Sequence, residues 1–225
     1  MNKKLRIVLQ VSILIILSFP LCALKAQTVQ SESGNVYEVD PGTKGNQIIL
    51  EIANTSKTME ANNVDVKLIK SSKQLKFKDE EQTINHLDKK KEADVTFAFD
   101  INVTAPANTK DTVEFQISGK GINQTKSFVL KYSAPKQYAL YQNYPNPFNP
   151  TTTIRYSIPE TQHAASVQLK VYDILGREIT TLVNKEQKAG NYEVKFNGSR
   201  YASGIYIYRL TADNFVSIKK MMMVK

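Results

Sequence analysis

The stretch "QNYPNPFNPTTTIRYSIP" occupies residues 142–159 and changes character halfway. Pro145, Pro147 and Pro150 fix their own φ angles and push each preceding residue towards an extended conformation. From Thr151 onward apolar and polar residues alternate, as in a half-buried β-strand. Because proline is tolerated at sheet edges, the proline segment is predicted to be the first edge strand of a domain that continues to Lys225.

The sequence after this segment predicts a second β-sandwich of six or seven strands. "SVQLKVYD" (166–173) places Val167, Leu169 and Val171 on one face, and "DILGREITTLV" (173–183) predicts a hairpin that turns near Gly176. Further strands are predicted for "AGNYEVKFN" (189–197), "GIYIYRLTA" (204–212) and "FVSIKKMMMV" (215–224). In the 204–212 strand we expect Ile207 to face the core, with Tyr206 and Tyr208 on the sheet surface.

The residues before the proline segment show the same period of two. "NQIILEIAN" (46–54), "NVDVKLIK" (63–70), "ADVTFAFDINV" (93–103), "DTVEFQISG" (111–119) and "KSFVLKY" (126–132) each put apolar side chains on one face. About seven short strands in about a hundred residues is typical of an immunoglobulin-like sandwich. The predicted fold is therefore all-β, with two immunoglobulin-like antiparallel sandwiches in tandem after a signal peptide. The first half loosely resembles bacterial accessory β-sandwich modules.

The first 26 residues have the features of a secretory signal peptide. A basic start is followed by an apolar run from Ile7 to Leu21, and Ala26 supplies a small residue for cleavage. That run is short for a membrane span, and none is expected in the mature chain. Cys22 leaves a lipoprotein as an alternative. The predicted divisions are 1–26 (signal peptide), 27–135 (cargo sandwich), 136–150 (proline- and asparagine-rich junction) and 138–225 (second sandwich).

Charge is divided unevenly along the chain. Residues 27–136 contain fifteen basic and fifteen acidic residues, whereas residues 137–225 contain eleven basic and six acidic ones, a net charge of +5. The basic residues are not clustered with aromatic residues in the way that nucleic-acid binding requires. Nucleic acid is therefore not an expected partner.

Several segments in the second half resemble, in order and spacing, the C-terminal sorting domain of proteins secreted by the type IX (Por) system of Bacteroidetes and related phyla. They are "YQNYPNPFNPTTTIRYSIP", "VQLKVYDILGREITTLVN", "AGNYEVKFNG", "ASGIYIYRL" and "KKMMMVK". The resemblance covers about residues 138–225. Its motif residues here are Asn146, Pro147, Phe148, Asn149, Pro150, Tyr172, Asp173, Gly176, Arg177, Gly190, Gly204, Tyr206, Lys220 and Lys225.

This resemblance implies a route and a set of partners. A signal peptide would carry the chain into the periplasm, and the type IX translocon would then recognise the sorting domain and export the protein. A sortase-like peptidase would cut near the start of that domain, for which "SAPKQ" (133–137) is the candidate region. The cargo would be released or anchored to surface lipopolysaccharide. A related sandwich in flagellar hook-scaffolding proteins is a weaker resemblance.

The sequence does not predict an enzyme. His86 and His163 lie in different predicted domains, and neither has a second histidine or cysteine at ligand spacing, so no metal site and no cofactor are expected. "DTV" (111–113) matches a short O-glycosylation motif of Bacteroidetes, with Thr112 as acceptor. The predicted function is a non-catalytic secreted or cell-surface protein whose small sandwich binds a partner or builds structure. The alternatives are a carbohydrate-binding accessory module of a surface hydrolase system and a structural protein like the flagellar hook scaffold.

Overall fold

A computed structural model describes the backbone of residues 6–13 and the full residues 36–225. Its regular elements in these ranges are all strands, so the all-β prediction is confirmed. The strands are β1 (Arg6–Ile13), β2 (Val36–Val39), β3 (Asn46–Asn54), β4 (Ala61–Lys70), β5 (Leu75–Phe77), β6 (Glu81–Leu87), β7 (Glu92–Ile101), β8 (Lys110–Gly119), β9 (Ile122–Tyr132), β10 (Ala139–Leu140), β11 (Thr151–Ile158), β12 (Ala165–Tyr172), β13 (Glu178–Gln187), β14 (Gly190–Asn197), β15 (Gly204–Ala212) and β16 (Phe215–Met223). Within those ranges no helix is long and apolar enough to cross a membrane.

The chain divides into two compact units. Unit 1 comprises Met1–Asn102 and Thr109–Tyr132, and unit 2 comprises Val103–Asn108 and Ser133–Lys225. The main division falls at the end of β9, within three residues of the predicted boundary at 135. The loop 103–108, expected in the cargo sandwich, is grouped with unit 2.

Unit 1 contains two sheets, with strand orders β1-β3-β7-β5 and β2-β9-β8-β4-β6. The predicted alternation places its apolar side chains correctly: Ile48, Leu50, Ile52, Phe97 and Phe99 are fully buried on β3 and β7. Val64, Val66, Val113, Phe115 and Ile117 are fully buried on β4 and β8. Aromatic rings join the two sets, since the Phe97 and Phe115 ring centroids lie 4.5 Å apart. The core of unit 1 therefore lies between its two sheets.

Two pairings in unit 1 are parallel, in a chain expected to form antiparallel sheet. β2 runs parallel to β9, and β1 runs parallel to β3 over the eight pairs from Arg6↔Gln47 to Ile13↔Asn54. β1 belongs to the segment assigned to the signal peptide. Cleavage at Ala26 stays a prediction, because Ala26 and Cys22 lie outside the described residues.

Unit 2 also contains two sheets, β10-β11-β14 and β13-β12-β15-β16. The hairpin expected near Gly176 is confirmed. β12 ends at Tyr172, β13 begins at Glu178, and Gly176 adopts the positive φ of 79° that the turn requires. Val167, Leu169 and Val171 are fully buried, as their alternation predicts.

One prediction about the core of unit 2 is wrong. Tyr208 is fully buried and Tyr206 is 7% exposed, whereas Ile207 faces outward between them. The alternation was correct, but its phase was reversed. Each tyrosine ring buries more apolar surface than isoleucine, and each hydroxyl finds a backbone partner: Tyr206 donates to the Ala202 carbonyl and Tyr208 to the Tyr141 carbonyl.

Candidate functional site

The proline segment, residues 143–150, lies along the edge of the terminal strand β16. The Phe148 N–H donates to the Met222 carbonyl at 2.9 Å, and the Val224 N–H donates to the Phe148 carbonyl at 3.0 Å. The Asn146 side-chain oxygen accepts a hydrogen bond from the Met222 N–H at 2.9 Å. Two peptide bonds in the segment, those preceding Pro145 and Pro147, are cis.

The segment is not the continuous edge strand that the sequence predicted. It forms two isolated bridges, Tyr144↔Thr153 and Phe148↔Met223, because proline has no N–H with which to continue a ladder. The first strand of unit 2 is instead the short β10. Nevertheless, Phe148 near the start of the sorting-domain motif is hydrogen-bonded to Met222 and Val224 near its end, about 75 residues later in the sequence.

Phe148 anchors the proline segment in the core. Its side chain is 1% exposed, and its ring lies 5.8 Å from the ring of Phe196. Gly198 permits this packing, since a Cβ there would lie 2.2 Å from the Met223 sulfur and 3.2 Å from the Phe148 ring. The Gly198 N–H also donates to the Pro150 carbonyl at 2.8 Å. The segment is therefore held by both backbone and side-chain contacts.

A buried polar network holds the start of the segment. The Asn143 N–H donates to the Tyr208 hydroxyl, and the Asn143 amide donates to the Pro145 carbonyl and the Thr152 hydroxyl, each at 2.9 Å. Burial raises the pKa of Tyr208 to about 12, although the hydrogen bond from the Asn143 N–H opposes the shift. This hydroxyl thus stays protonated at neutral pH and can donate to the Tyr141 carbonyl.

A second group of motif residues shapes the turn between β12 and β13. One Asp173 carboxylate oxygen accepts hydrogen bonds from the N–H groups of Leu175 and Arg177, at 2.9 and 3.0 Å. The other accepts one from Arg177 Nε at 2.7 Å. Partial desolvation acts to raise the pKa of Asp173, but the hydrogen bonds from Arg177 and Leu175 outweigh it and hold that pKa below its ordinary value. The ionised carboxylate fixes the shape of the turn.

This turn forms one wall of an open groove of about 330 Å³, which we call the turn groove. The other wall is the start of β15, and the lining residues are Asp173, Ile174, Leu175, Arg177, Ser203, Gly204, Ile205 and Tyr206. Ile174 is 70% exposed and Leu175 is 74% exposed. Four predicted motif residues (Asp173, Arg177, Gly204 and Tyr206) thus meet at one groove with an apolar rim.

The remaining motif residues do not line the turn groove. Tyr172 lies on the outer sheet face, where the Arg209 guanidinium carbon is 5.0 Å from its ring centroid and Arg209 donates to its hydroxyl at 2.7 Å. Gly190 begins β14 and pairs with Ile158 at the far end of the other sheet. Asn149, Lys220 and Lys225 are exposed. Most motif residues therefore lie in two places, the proline segment and the turn beside the turn groove, and Tyr172, Gly190, Lys220 and Lys225 lie outside them.

Sequence reasoning missed a cluster of metal-ligating types in unit 1. Ligand atoms of Glu60, His86 and Asp88 lie within 4.8 Å of one another, because Asn62 is paired with His86 across β4 and β6. The signal that could have found it is strand register, which only the pairing supplies. All three residues are exposed, His86 is already hydrogen-bonded to Asn62 and Asp88, and exposed groups of this kind are common without an ion.

Two further features of unit 1 concern carboxylates. Asp111 accepts hydrogen bonds from the Tyr132 hydroxyl at 2.5 Å and from the Ser72 hydroxyl, so it joins β8 to the end of β9 and to the loop between β4 and β5. Thr112, the predicted glycosylation acceptor, is half-buried beside it in β8, opposite Val129. On the outer face of β3, a hydrogen bond with Glu92, partial desolvation and repulsion from Glu92 and Asp94 raise the pKa of Glu51.

Unit 2 is a β-sandwich whose proline segment is hydrogen-bonded to the end of its last strand, β16. A domain of this kind is found by comparison with protein families. Residues 142–225 match the family described as "Secretion system C-terminal sorting domain". The predicted recognition is thereby confirmed, and the sorting domain indicates export through type IX secretion and contact with its machinery.

Other comparisons add little. No curated protein matches the chain. Among solved structures, dimeric latent PorU from Porphyromonas gingivalis is 17% identical, with 87% of this chain and 19% of that chain covered and a TM-score of 0.33. The CupB2 chaperone of Pseudomonas aeruginosa is 10% identical, with 86% and 99% covered and a TM-score of 0.30. The D0-D1 domain of intimin is 6% identical, with 86% and 96% covered and a TM-score of 0.29. Scores this low carry no functional inference.

Proposed function

We propose that this chain is a non-catalytic protein that a signal peptide delivers to the periplasm and that the type IX translocon then exports. Unit 2 is the sorting signal for export. Unit 1 is the cargo, which acts outside the cell by binding a partner or by building structure. The observation that carries this proposal is the family match over residues 142–225.

The immunoglobulin-like assignment of the cargo is supported by its strand order. β3, β7 and β5 form one sheet, and β4, β8 and β9 adjoin in the other, which is the order of strands B, E, D and C, F, G in immunoglobulin domains. Domains of this type commonly serve in recognition rather than catalysis, but fold alone does not decide function.

The non-catalytic assignment is supported by what the charged groups of unit 1 do. Lys67 pairs with Glu81, Lys70 with Glu114 and Lys131 with Glu38, all across neighbouring strands. Asp100 accepts a hydrogen bond from the Gly45 N–H at 2.8 Å. These carboxylates are used for cross-strand pairing and loop closure. A hydrolase activity of the purified chain that is lost on replacing one of them would overturn the assignment.

Processing between the units is part of the proposal. Residues 133–138 contain no strand, and Lys136 and Gln137 are exposed. A sortase-like peptidase would cut within this segment and then either release the cargo or transfer it to surface lipopolysaccharide. The glycan-binding alternative for the cargo is tested by measuring binding of the processed protein to surface polysaccharides.

The decisive experiment compares two reporters in a host that has type IX secretion. The first carries a signal peptide, an unrelated soluble protein and residues 133–225. The second is identical but lacks residues 219–225. This deletion removes the end of β16 and the residues to which the proline segment is hydrogen-bonded. We expect only the first to reach the cell exterior, and only when the translocon is present. If the first stays in the periplasm while the full-length chain is exported, residues 133–225 are not a sufficient address.

A further inference from the structure

Exposed apolar side chains are concentrated in the sorting domain. Of the eleven large apolar residues that are exposed in the described part of the chain, nine lie in unit 2 and only Val36 and Ile69 lie in unit 1. Soluble monomeric proteins scatter such residues singly, and their clustering marks an interaction surface. The asymmetry therefore points to a contact made by unit 2.

Four of the nine lie on β16 and the residue after it. Val216 is 57% exposed, Ile218 59%, Met222 43% and Val224 43%. Since alternate residues of a strand share a face, they form one row, interrupted only by Lys220. We call this row the β16 stripe.

The β16 stripe is continuous with the turn groove. Ile205, which is 46% exposed and lines the groove, is paired directly with Met222 across β15 and β16. Directly opposite residues have Cβ atoms about 4.5–5.5 Å apart, so their side chains touch the same partner. The apolar rim of the groove, Ile174 and Leu175, extends the surface beyond β15.

The charges along β15 and β16 have one sign, and the Asp173 carboxylate in the turn groove is already paired with Arg177. Neither β15 nor β16 contains an acidic residue, and their outward positions include Arg209 and Lys220. Arg209 is paired with Ile218, and Lys220 lies between Ile218 and Met222. A complementary partner would have apolar side chains at its centre and carboxylates around them.

We propose that the β16 stripe and the turn groove form one docking surface for a protein component of the type IX machinery, with an apolar contact face rimmed by carboxylates. The proposal rests on the proposed function and specifies which face of the sorting domain the secretion machinery binds. The proline segment supports this surface from the side, because its hydrogen bonds to Met222 and Val224 fix the end of the stripe.

Two matched pairs of substitutions in the full-length chain test the proposal. Ile218→Gln is compared with Ile69→Gln, a similarly exposed isoleucine on unit 1. Lys220→Glu is compared with Lys195→Glu, an exposed lysine on the other sheet of unit 2. We expect Ile218→Gln and Lys220→Glu each to lower the ratio of exported to periplasmic protein about ten-fold, the effect of losing one central interface contact. The control variants should match the unaltered chain.

Photo-crosslinking identifies the partner. A benzophenone amino acid at position 218 should give a crosslink to a protein of the secretion system that is lost in a translocon-deficient strain, and one at position 69 should not. Thermal unfolding of each purified variant checks that it folds. If Ile218→Gln fails to fold, the docking surface is tested by the export ratio of Lys220→Glu and by the crosslink from position 218.

Export of both test variants at the level of the unaltered chain would overturn the docking surface. The proposed function would stand in that case, because the unaltered chain is still exported. Two other results would also overturn the docking surface: Ile218-dependent binding to vesicles of phosphatidylglycerol and phosphatidylethanolamine without the crosslink, or an Ile218-dependent dimer in sedimentation. Failure of the unaltered chain to be exported would instead refute the proposed function.

Discussion

Replacing Phe148 with alanine should selectively destabilise the sorting domain. The side chain is 1% exposed, and Phe→Ala substitutions in cores cost about 3–5 kcal/mol. The Met223 side chain is flexible and lies beside the vacated space, so partial filling favours the lower end, about 3 kcal/mol. The hydrogen bonds between Phe148 and β16 involve only backbone atoms and are available to alanine, so the loss measures packing.

The size of this loss is large for a domain of this length. Domains are stable by about 5–15 kcal/mol, and each kcal/mol shifts Tm by roughly 4–8 °C at 60–100 residues. Phe148→Ala should therefore lower the Tm of unit 2 by about 12–24 °C, since about 3 kcal/mol is lost. The chain has no tryptophan, so circular dichroism gives the melting curve. Hydrogen exchange with mass spectrometry assigns the change to peptides of unit 2.

Tyr144→Ala is the matched control within the same segment. Tyr144 is 81% exposed, and surface substitutions of this kind change stability by less than about 0.5 kcal/mol. If Phe148→Ala and Tyr144→Ala have equal effects, or if the faster exchange appears in unit 1, Phe148 does not anchor the segment in the way described.

Three other predictions concern the buried network, the acidic face and the junction. Tyr208→Phe removes the acceptor of the buried Asn143 N–H and should cost about 1–3 kcal/mol in urea unfolding, whereas Tyr172→Phe, at an exposed hydroxyl, should cost less; equal losses would contradict the network. Glu51 has a raised pKa when folded, so the folded state binds its proton more tightly than the unfolded state does, and stability is lost as pH rises from about 4.5 through that raised pKa. Glu51→Gln should therefore be more stable than the unaltered chain at pH 7, with a difference that shrinks below pH 4.5 in a melting series; a constant difference would refute the cause. Limited proteolysis should cut first within residues 133–137, as read by mass spectrometry, and a first cut inside a strand would contradict the two-unit division.

The hydrogen bonds between the proline segment and β16 join two parts of the sorting domain that are far apart in sequence. The segment is complete only when the last residues of the chain have been made and placed, since Phe148 bonds to Met222 and Val224. A truncated chain would lack both the partner of the segment and the end of the β16 stripe.

The sequence by itself determined the all-β class and the resemblance to the sorting-domain family. Strand alternation is a local property, and the motif residues stand in a fixed linear order, so neither needs tertiary information. The sequence also predicted correctly the buried faces of β7 and β8, because there the large apolar residues occupy one face; in β3 the predicted Ile48, Leu50 and Ile52 are buried, but Ile49 on the opposite face is buried as well.

Only the tertiary structure decided the organisation of the site. In β15 the face of Ile207 also carries Arg209, which is a sequence signal for the outward face that the prediction overlooked, whereas the hydrogen-bond partners of the Tyr206 and Tyr208 hydroxyls are seen only in the structure. The meeting of Asp173 with Gly204, and of Phe148 with Met222, depends on strand pairing over 30 to 75 residues of separation. Local periodicity groups the residues of a strand by face. The contacts that each face makes are determined by strand register and packing.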